Sequence, residues 1–282
     1  MKAKGISGTT RVVAIIGDPV EHTLSPAMHN AGFAALGLDY LYVALRVRPA
    51  DLRRALLGVR TLGLAGLNVT VPHKQAILPL LDRLSPAARA IGAVNTVVLD
   101  GDDLVGHNTD AEGFLRAIRR LGFRGRGKSA LLLGAGGSAR AVAWALAEEG
   151  VRTLTILNRD ITRAKQLAGK IRRQEGISTL AGSLACAEDP AIAGGAGIVV
   201  NCTSLGLDGV SSPRVAFRLT PATCLFYDLV YGRRPTPFVR AALRHGRKAS
   251  DGRSMLLEQA GLAFSLWTGR KPPLELMERK LR

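Results

Sequence analysis

The chain is short of cysteine, aromatic residues, acidic side chains and long apolar runs, and each shortage removes a class of protein. Only three cysteines occur, Cys186, Cys202 and Cys224. They are far apart and form no CxxC pair, so neither a disulfide framework nor a zinc site is expected, and no metal is assigned. That usage fits a reducing, cytoplasmic setting. No apolar stretch approaches the ~20 residues that cross a bilayer, so no membrane partner is expected. Near the start, the apolar core Val12-Val13-Ala14-Ile15-Ile16 is too short for the apolar region of a secretion signal and reads as a strand. Aromatic residues make up 5%, too few for a base-stacking platform.

Acidic residues number 22 against 39 Lys and Arg, a formal net charge of +17. Such a balance raises the question of a nucleic-acid partner, because phosphate backbones reward dense cations. The arginines are scattered, however. Where they gather, Arg116, Arg119 and Arg120 share one helix face, and Phe114, Ile118 and Leu121 take the opposite stripe at i, i+4, i+7. That is a solvated basic surface without a recognition helix, and no nucleic-acid partner is expected. A basic field would also draw in anionic substrates and phosphorylated cofactors. The remainder is globular: 282 residues, 47% apolar and 22% charged, enough for two domains with cores of their own.

Apolar strands at 11–17, 40–46, 66–69, 95–99 and 104–106 alternate with helical segments at 25–36, 51–62 and 85–91. Ser25-Pro26, Asp51 and Ser85-Pro86 supply the helix start signals. Strands separated by helices imply a mostly parallel sheet covered on both faces. A basic, glycine-containing stretch at 122–128 reads as a linker or hinge. A second series follows: strand 130–133, helix 136–149, strand 153–157, helix 161–173, then strands 197–201 and 224–229. An apolar helix at 252–267 is expected to return to the first lobe. The fold class is therefore α/β, with two three-layer lobes and a cleft between them.

The strand 130–133 runs directly into Gly134-Ala135-Gly136-Gly137-Ser138-Ala139, where a helix opens. This is a G-x-G-x-x-A dinucleotide fingerprint in its strand–turn–helix context. Gly134 permits the tight turn, Gly136 lets a pyrophosphate approach the backbone, and Ala139 lets helix and strand pack closely. The helix N-terminus offers unpaired N–H groups to the phosphates. The next strand ends in Asn158-Arg159-Asp160, with Arg163 one turn further on. NAD enzymes usually place an acid there for the ribose 2′-hydroxyl; Asn158 and Arg159 instead favour a 2′-phosphate, hence NADP. Asp160 is the opposing carboxylate in the same loop.

In the first lobe, polar groups cluster at strand ends: Asn68-Val-Thr70-Val-Pro72-His73-Lys74, Gly92-Ala-Val-Asn95-Thr96 and His107-Asn108-Thr109-Asp110. Such ends line the ligand crevice of doubly wound sheets. Each cluster also has a plain structural reading, as turn residues or helix caps.

With these stretches the chain resembles the shikimate dehydrogenase family. Further matches are Thr23-Leu-Ser25-Pro26, Asn201-Cys-Thr203-Ser204-Leu-Gly206, Tyr227-Asp228-Leu-Val-Tyr231, and Asp251-Gly252 through Met255 to Gln259. The resemblance implies a substrate-binding catalytic domain over residues 1–110, completed by C-terminal helices at 252–282, and an NADP-binding Rossmann domain over 111–251. It implies reversible, NADP-linked reduction of 3-dehydroshikimate to shikimate, in aromatic amino-acid biosynthesis, by a monomer or homodimer. Carried over by position, Lys74 is the expected acid/base and Asp110 its partner. Thr23, Ser25, Thr70, Asn95, Tyr231 and Gln259 join them as expected substrate contacts. Leu229, Gly252 and Met255 are expected around the nicotinamide, and Gly134, Ala135, Gly136, Gly137, Ser138, Asn158, Arg159 and Arg163 around the rest of the cofactor. The chain departs from the family pattern at His107, where Asp is common, at Ala111, usually Gly, and at Thr23, usually Ser. Two alternatives stay open: a quinate/shikimate dehydrogenase using NAD, and a non-catalytic Rossmann sensor or nucleic-acid binder.

Overall fold

The computed structural model describes residues 5–232 and 234–281. The chain divides into two compact units, Met1–Gly113 with Leu257–Arg282, and Phe114–Leu256.

The first unit contains β1 (Arg11–Gly17), α1 (Ser25–Ala35), β2 (Tyr40–Arg46), α2 (Leu52–Thr61), β3 (Gly66–Val69), α3 (His73–Ala76), β4 (Arg83–Leu84), α4 (Pro86–Ile91), β5 (Thr96–Asp100) and β6 (Asp103–His107). Its sheet has the order β2-β1-β3-β5-β6-β4. β1 runs parallel to β2 and β3, whereas β5 is antiparallel to both β3 and β6. The reversal has a local cause. β5 and β6 follow each other with no helix between them, and only a tight turn fits, with Gly101 at φ +60°. A two-residue loop of that kind needs positive φ, which glycine adopts without a Cβ penalty. Alternating strand faces bury Ala14, Ile16, Leu67, Val69, Val97 and Leu104 against Leu52, Leu56 and Val59 of α2. The amphipathic spacing 52, 56, 59 is the helix-period stripe that makes this possible.

The second unit contains β7 (Ser129–Leu133), α6 (Gly137–Glu148), β8 (Thr153–Leu157), α7 (Ile161–Glu175), β9 (Ser178–Gly182), α8 (Pro190–Ala193), β10 (Ala196–Asn201), β11 (Leu225–Asp228), α9 (Pro237–Arg244) and β12 (Lys248–Ser250). All its strand pairs are parallel, in the order β12-β11-β10-β7-β8-β9. That is a six-stranded Rossmann order, and it reverses between β7 and β10. Near-continuous apolar strands such as Leu131–Leu133 and Ile198–Val200 are fully buried, as a parallel sheet with helices on both faces requires.

Three further helices complete the chain: α5 (Asp110–Arg120), α10 (Arg253–Thr268) and α11 (Leu274–Glu278). The unit boundaries fall inside α5 and α10. Residues 122–128, expected to be a linker or hinge, lie within the second unit. There the Lys128 N–H bonds the Gly125 carbonyl at 2.8 Å, and Gly125 leaves no room for a side chain beside the Glu149 carbonyl. In the first unit, Trp267 of α10 donates its Nε1–H to the Val97 carbonyl at 3.0 Å. Gly66 makes that approach possible, because a Cβ there would lie 2.3 Å from the same Nε1.

Candidate active site

Four segments of the first unit converge on one buried polar cluster. Lys74 comes from α3, Asp110 opens α5, Asn95 immediately precedes β5, and Gln259 lies in α10. Lys74 Nζ donates to Asp110 Oδ2 at 2.6 Å, with Lys74 9% and Asp110 4% exposed. A buried ion pair is tolerated only when its remaining lone pairs are satisfied. Here Asn95 Nδ2 donates to Asp110 Oδ1 at 2.9 Å, to Thr109 Oγ1 at 2.8 Å and to Gln259 Oε1 at 3.2 Å.

The orientation of the Asn95 amide is set from its other end. Its Oδ1 accepts the Thr109 N–H at 2.7 Å and the Thr96 hydroxyl at 3.2 Å. The NH₂ must therefore face the carboxylate and the Gln259 carbonyl. Below this layer, Asn68 Nδ2 donates to the Asn95 carbonyl at 3.0 Å and to Thr96 Oγ1 at 3.1 Å, and Tyr42 donates its hydroxyl to Asn68 Oδ1 at 2.7 Å. Asn68, Thr96 and Thr109 were legible as strand-end polar residues, but nothing in the sequence showed that they hold Asn95. Their partners lie on three different chain segments.

Thr23 and Ser25 sit together at the start of α1: Thr23 Oγ1 lies 3.1 Å from Ser25 Oγ and accepts the Ser25 N–H at 3.2 Å. Thr70 follows β3, its N–H on the Ile16 carbonyl and its carbonyl on the His73 N–H. This fixes the turn that leads into Lys74. His107 is half-buried at the end of β6, where burial lowers its pKa below the ordinary histidine value.

In the second unit the glycine-rich turn joins β7 to α6. Gly134 has φ +111°, and a Cβ there would lie 3.0 Å from the Cys202 carbonyl. Gly136 caps α6 without a side-chain hydrogen bond, and the space where its Cβ would stand is open. Ala135 and Ala139 are buried, and Gly137 and Ser138 form the first turn of α6. This open, positively polarised helix start fits a pyrophosphate. At the end of β8, Asn158 Nδ2 donates to the Asp160 carbonyl at 2.9 Å. Asp160 caps α7 through the Thr162 N–H at 2.9 Å, and its second oxygen lies 3.5 Å from Arg163 Nε. One oxygen of the carboxylate thus caps the helix start, and Arg159 is exposed without an ion pair among the described residues. At the end of β11, Leu229 and the half-buried Tyr231 follow Asp228; burial raises the Tyr231 pKa. Gly252 lies against this segment, since a Cβ on it would be 2.3 Å from the Leu229 carbonyl. Met255 is tied to β11 by its N–H on the Tyr227 hydroxyl at 3.2 Å.

A Rossmann unit with a glycine-rich turn, in a chain that also carries a buried lysine–carboxylate couple among amides and hydroxyls, defines a dinucleotide-linked oxidoreductase. Sequence comparison makes this specific. Family models described as shikimate dehydrogenase substrate binding domain, shikimate/quinate 5-dehydrogenase and shikimate 5′-dehydrogenase C-terminal domain match residues 15–97, 117–194 and 252–282. The shikimate dehydrogenase (NADP(+)) of Geobacter metallireducens is 45% identical, over 98% of this chain and 97% of the relative. A crystal structure of shikimate 5-dehydrogenase from Thermus thermophilus, in complex with NADP(H) and shikimate, is 40% identical. It superposes with a TM-score of 0.84 and covers 97% of this chain and 99% of that one. Quinate dehydrogenase from Corynebacterium glutamicum, in complex with NAD, is 35% identical with a TM-score of 0.86, covering 96% and 98%. The chain belongs to the shikimate dehydrogenase family.

Proposed function

We propose that this chain is an NADP-dependent shikimate dehydrogenase that reversibly reduces 3-dehydroshikimate to shikimate. The observation that carries the reading is the buried Lys74–Asp110 couple, with Asn95, Thr109 and Gln259 gathered on it. A nicotinamide held by the second unit would provide the hydride chemistry at the ring carbonyl carbon in either direction. The chain supplies the proton. In the reducing direction Lys74 Nζ gives a proton to the carbonyl oxygen as that oxygen gains negative charge; in the oxidising direction neutral Lys74 removes it. Asp110 holds Nζ in place and compensates its charge, and Asn95 holds Asp110. Thr23, Ser25, Thr70, Gln259 and Tyr231 offer short donors and acceptors to a ring acid with several hydroxyls. A site built this way rejects analogues that leave its polar groups unpaired.

On the cofactor side, Gly134, Ala135, Gly136, Gly137 and Ser138 take the pyrophosphate and Arg159, beside Asn158 and Arg163, the 2′-phosphate. Leu229, Gly252 and Met255 wall the nicotinamide. The cation Arg159 beside the neutral Asn158, where NAD enzymes usually place an acid, supports NADP over NAD, and Asp160 gives one carboxylate oxygen to the start of α7. The reading assigns the substrate domain to the first unit and the cofactor domain to the second. It suits a cytoplasmic enzyme, monomeric or homodimeric, without a nucleic-acid partner.

Acid–base assistance is worth ~10²–10⁴ in rate. Lys74→Ala is therefore expected to lower kcat for shikimate oxidation by about that factor, while the Kd for NADP, measured by calorimetry, stays near the wild-type value. Near-wild-type kcat in this variant would remove Lys74 from the chemistry.

A further inference from the structure

The Asn201 and Tyr227-Asp228 motifs contain two fully buried polar side chains that neither the acid–base couple nor the phosphate contacts use. Asp228 is the last residue of β11 and has no exposed surface. Its Oδ1 accepts from Asn201 Nδ2 at 2.8 Å and from the Val230 N–H at 3.0 Å, and its Oδ2 accepts from the Thr236 hydroxyl at 2.6 Å. No cation pairs with it among the described residues, and burial pushes its carboxyl up to about 6. A carboxylate buried without a cation is costly, and it persists where the surrounding donors over-determine it.

What those donors belong to gives the arrangement its meaning. Asn201 ends β10. Its Oδ1 also takes the N–H and hydroxyl of Thr203, at 3.0 and 2.7 Å, and its Nδ2 reaches the Leu205 carbonyl at 3.1 Å. One side chain thus shapes the loop whose Cys202 carbonyl packs on Gly134 of the glycine-rich turn. Thr236 caps α9 through the Val239 N–H at 3.3 Å. Val230 lies between Leu229 and Tyr231; its carbonyl accepts the Gly252 N–H at 3.3 Å, and the Leu229 N–H bonds the Asn201 carbonyl at 2.9 Å. The strand ends of β10 and β11, the loop after each and the start of α9 are therefore clamped through a single carboxylate.

We infer that Asp228, with Asn201 and Thr236, is a positioning residue of the cofactor site. Through three hydrogen bonds it fixes the 229–231 segment and the Gly252 backbone against which the nicotinamide half of NADP rests. It touches neither substrate nor cofactor. The inference rests on the cofactor reading above, but it assigns the nicotinamide end of the site to a device distinct from the phosphate-binding arginine and glycines.

Two probes separate the ends of the site: NADP itself, and adenosine 2′,5′-bisphosphate, which carries the 2′-phosphate but no nicotinamide. Asp228→Asn keeps the size and the Oδ1 acceptor but turns a donor toward the Thr236 hydroxyl. Thr236→Val removes that hydroxyl alone, and Thr236→Ser restores it. Calorimetry is expected to show NADP affinity lowered about tenfold in Asp228→Asn and by a smaller factor in Thr236→Val, with Thr236→Ser near wild type. The affinity for adenosine 2′,5′-bisphosphate should stay within about twofold throughout. Equal weakening of both probes would mean that Asp228 supports the whole unit, and unchanged NADP binding would mean that it positions nothing; either overturns the inference. Wild-type protein that binds neither probe would instead defeat the cofactor reading on which it rests.

Discussion

At the residue scale, the chain separates charge that must act from charge that must hold. Lys74 and Asp110 are nearly inaccessible and bonded to each other, and the second carboxylate oxygen is held by the neutral amide of Asn95. Arg159 is the opposite case, exposed and unpaired among the described residues, as a residue awaiting a phosphate would be. Its neighbour Arg163 lies 3.5 Å from Asp160, and in the proposed function Arg159 is the principal cation for the 2′-phosphate. Arg159→Ala is therefore expected to raise the KM for NADP by roughly tenfold or more while that for NAD changes little, as loss of a charge-assisted contact implies. Steady-state kinetics with each cofactor checks this. An equal rise for both would show that Arg159 supports the loop and does not read the phosphate.

At the scale of elements, what was legible depended on whether the signal was local. β1, β2, β3 and β8 are apolar runs bounded by turn residues, and they fall where the pattern placed them. β9 and β12 escaped. Ser178–Gly182 is half-exposed at one sheet edge and Lys248–Ser250 is three residues long at the other, so neither has the apolar alternation that marks a strand. The antiparallel β5 was hidden for a different reason: pairing direction belongs to the partners, not to the segment. Residue types likewise pointed to Lys74, Asn95 and Asp110, and the family resemblance to Gln259, whereas the contact between them needed α10 to lie beside α5 within the first unit.

That approach depends on Gly113, where a Cβ would stand 2.8 Å from both the backbone N and Cβ of Gln259. Alanine normally favours a helix over glycine by about 1 kcal/mol, but here the clash must displace backbone. Gly113→Ala should destabilise the protein by ~1–3 kcal/mol. It should also lower kcat/KM for shikimate by about tenfold, since small displacements of positioning groups are costly. Chemical denaturation and steady-state rates measure both; a stabilised variant with unchanged kinetics would show that α5 and α10 yield at no cost.

At the scale of the whole molecule, each unit is a sheet with its own core, and each carries polar groups beyond the ends of its strands. The excess of positive charge lies mostly in the second unit, which has 23 Lys and Arg against 9 acidic residues, whereas the first has 16 against 13; it favours anionic ligands generally without choosing among them. The fold does not choose either, because relatives described as shikimate and quinate dehydrogenases share it at similar TM-scores. In the proposed function the choice falls to a few side chains: Asn158, Arg159 and the helix-capping Asp160 for the cofactor, and Thr23, Ser25, Thr70 and Gln259 for the ring.

The most direct test of the account is the initial rate of absorbance change at the nicotinamide band, with shikimate or quinate crossed with NADP or NAD. Shikimate with NADP is predicted to give the highest kcat/KM of the four, with NAD slower for the same acid and quinate poorer with either cofactor. A higher kcat/KM for quinate with NAD, or no turnover of shikimate with either cofactor, would contradict it.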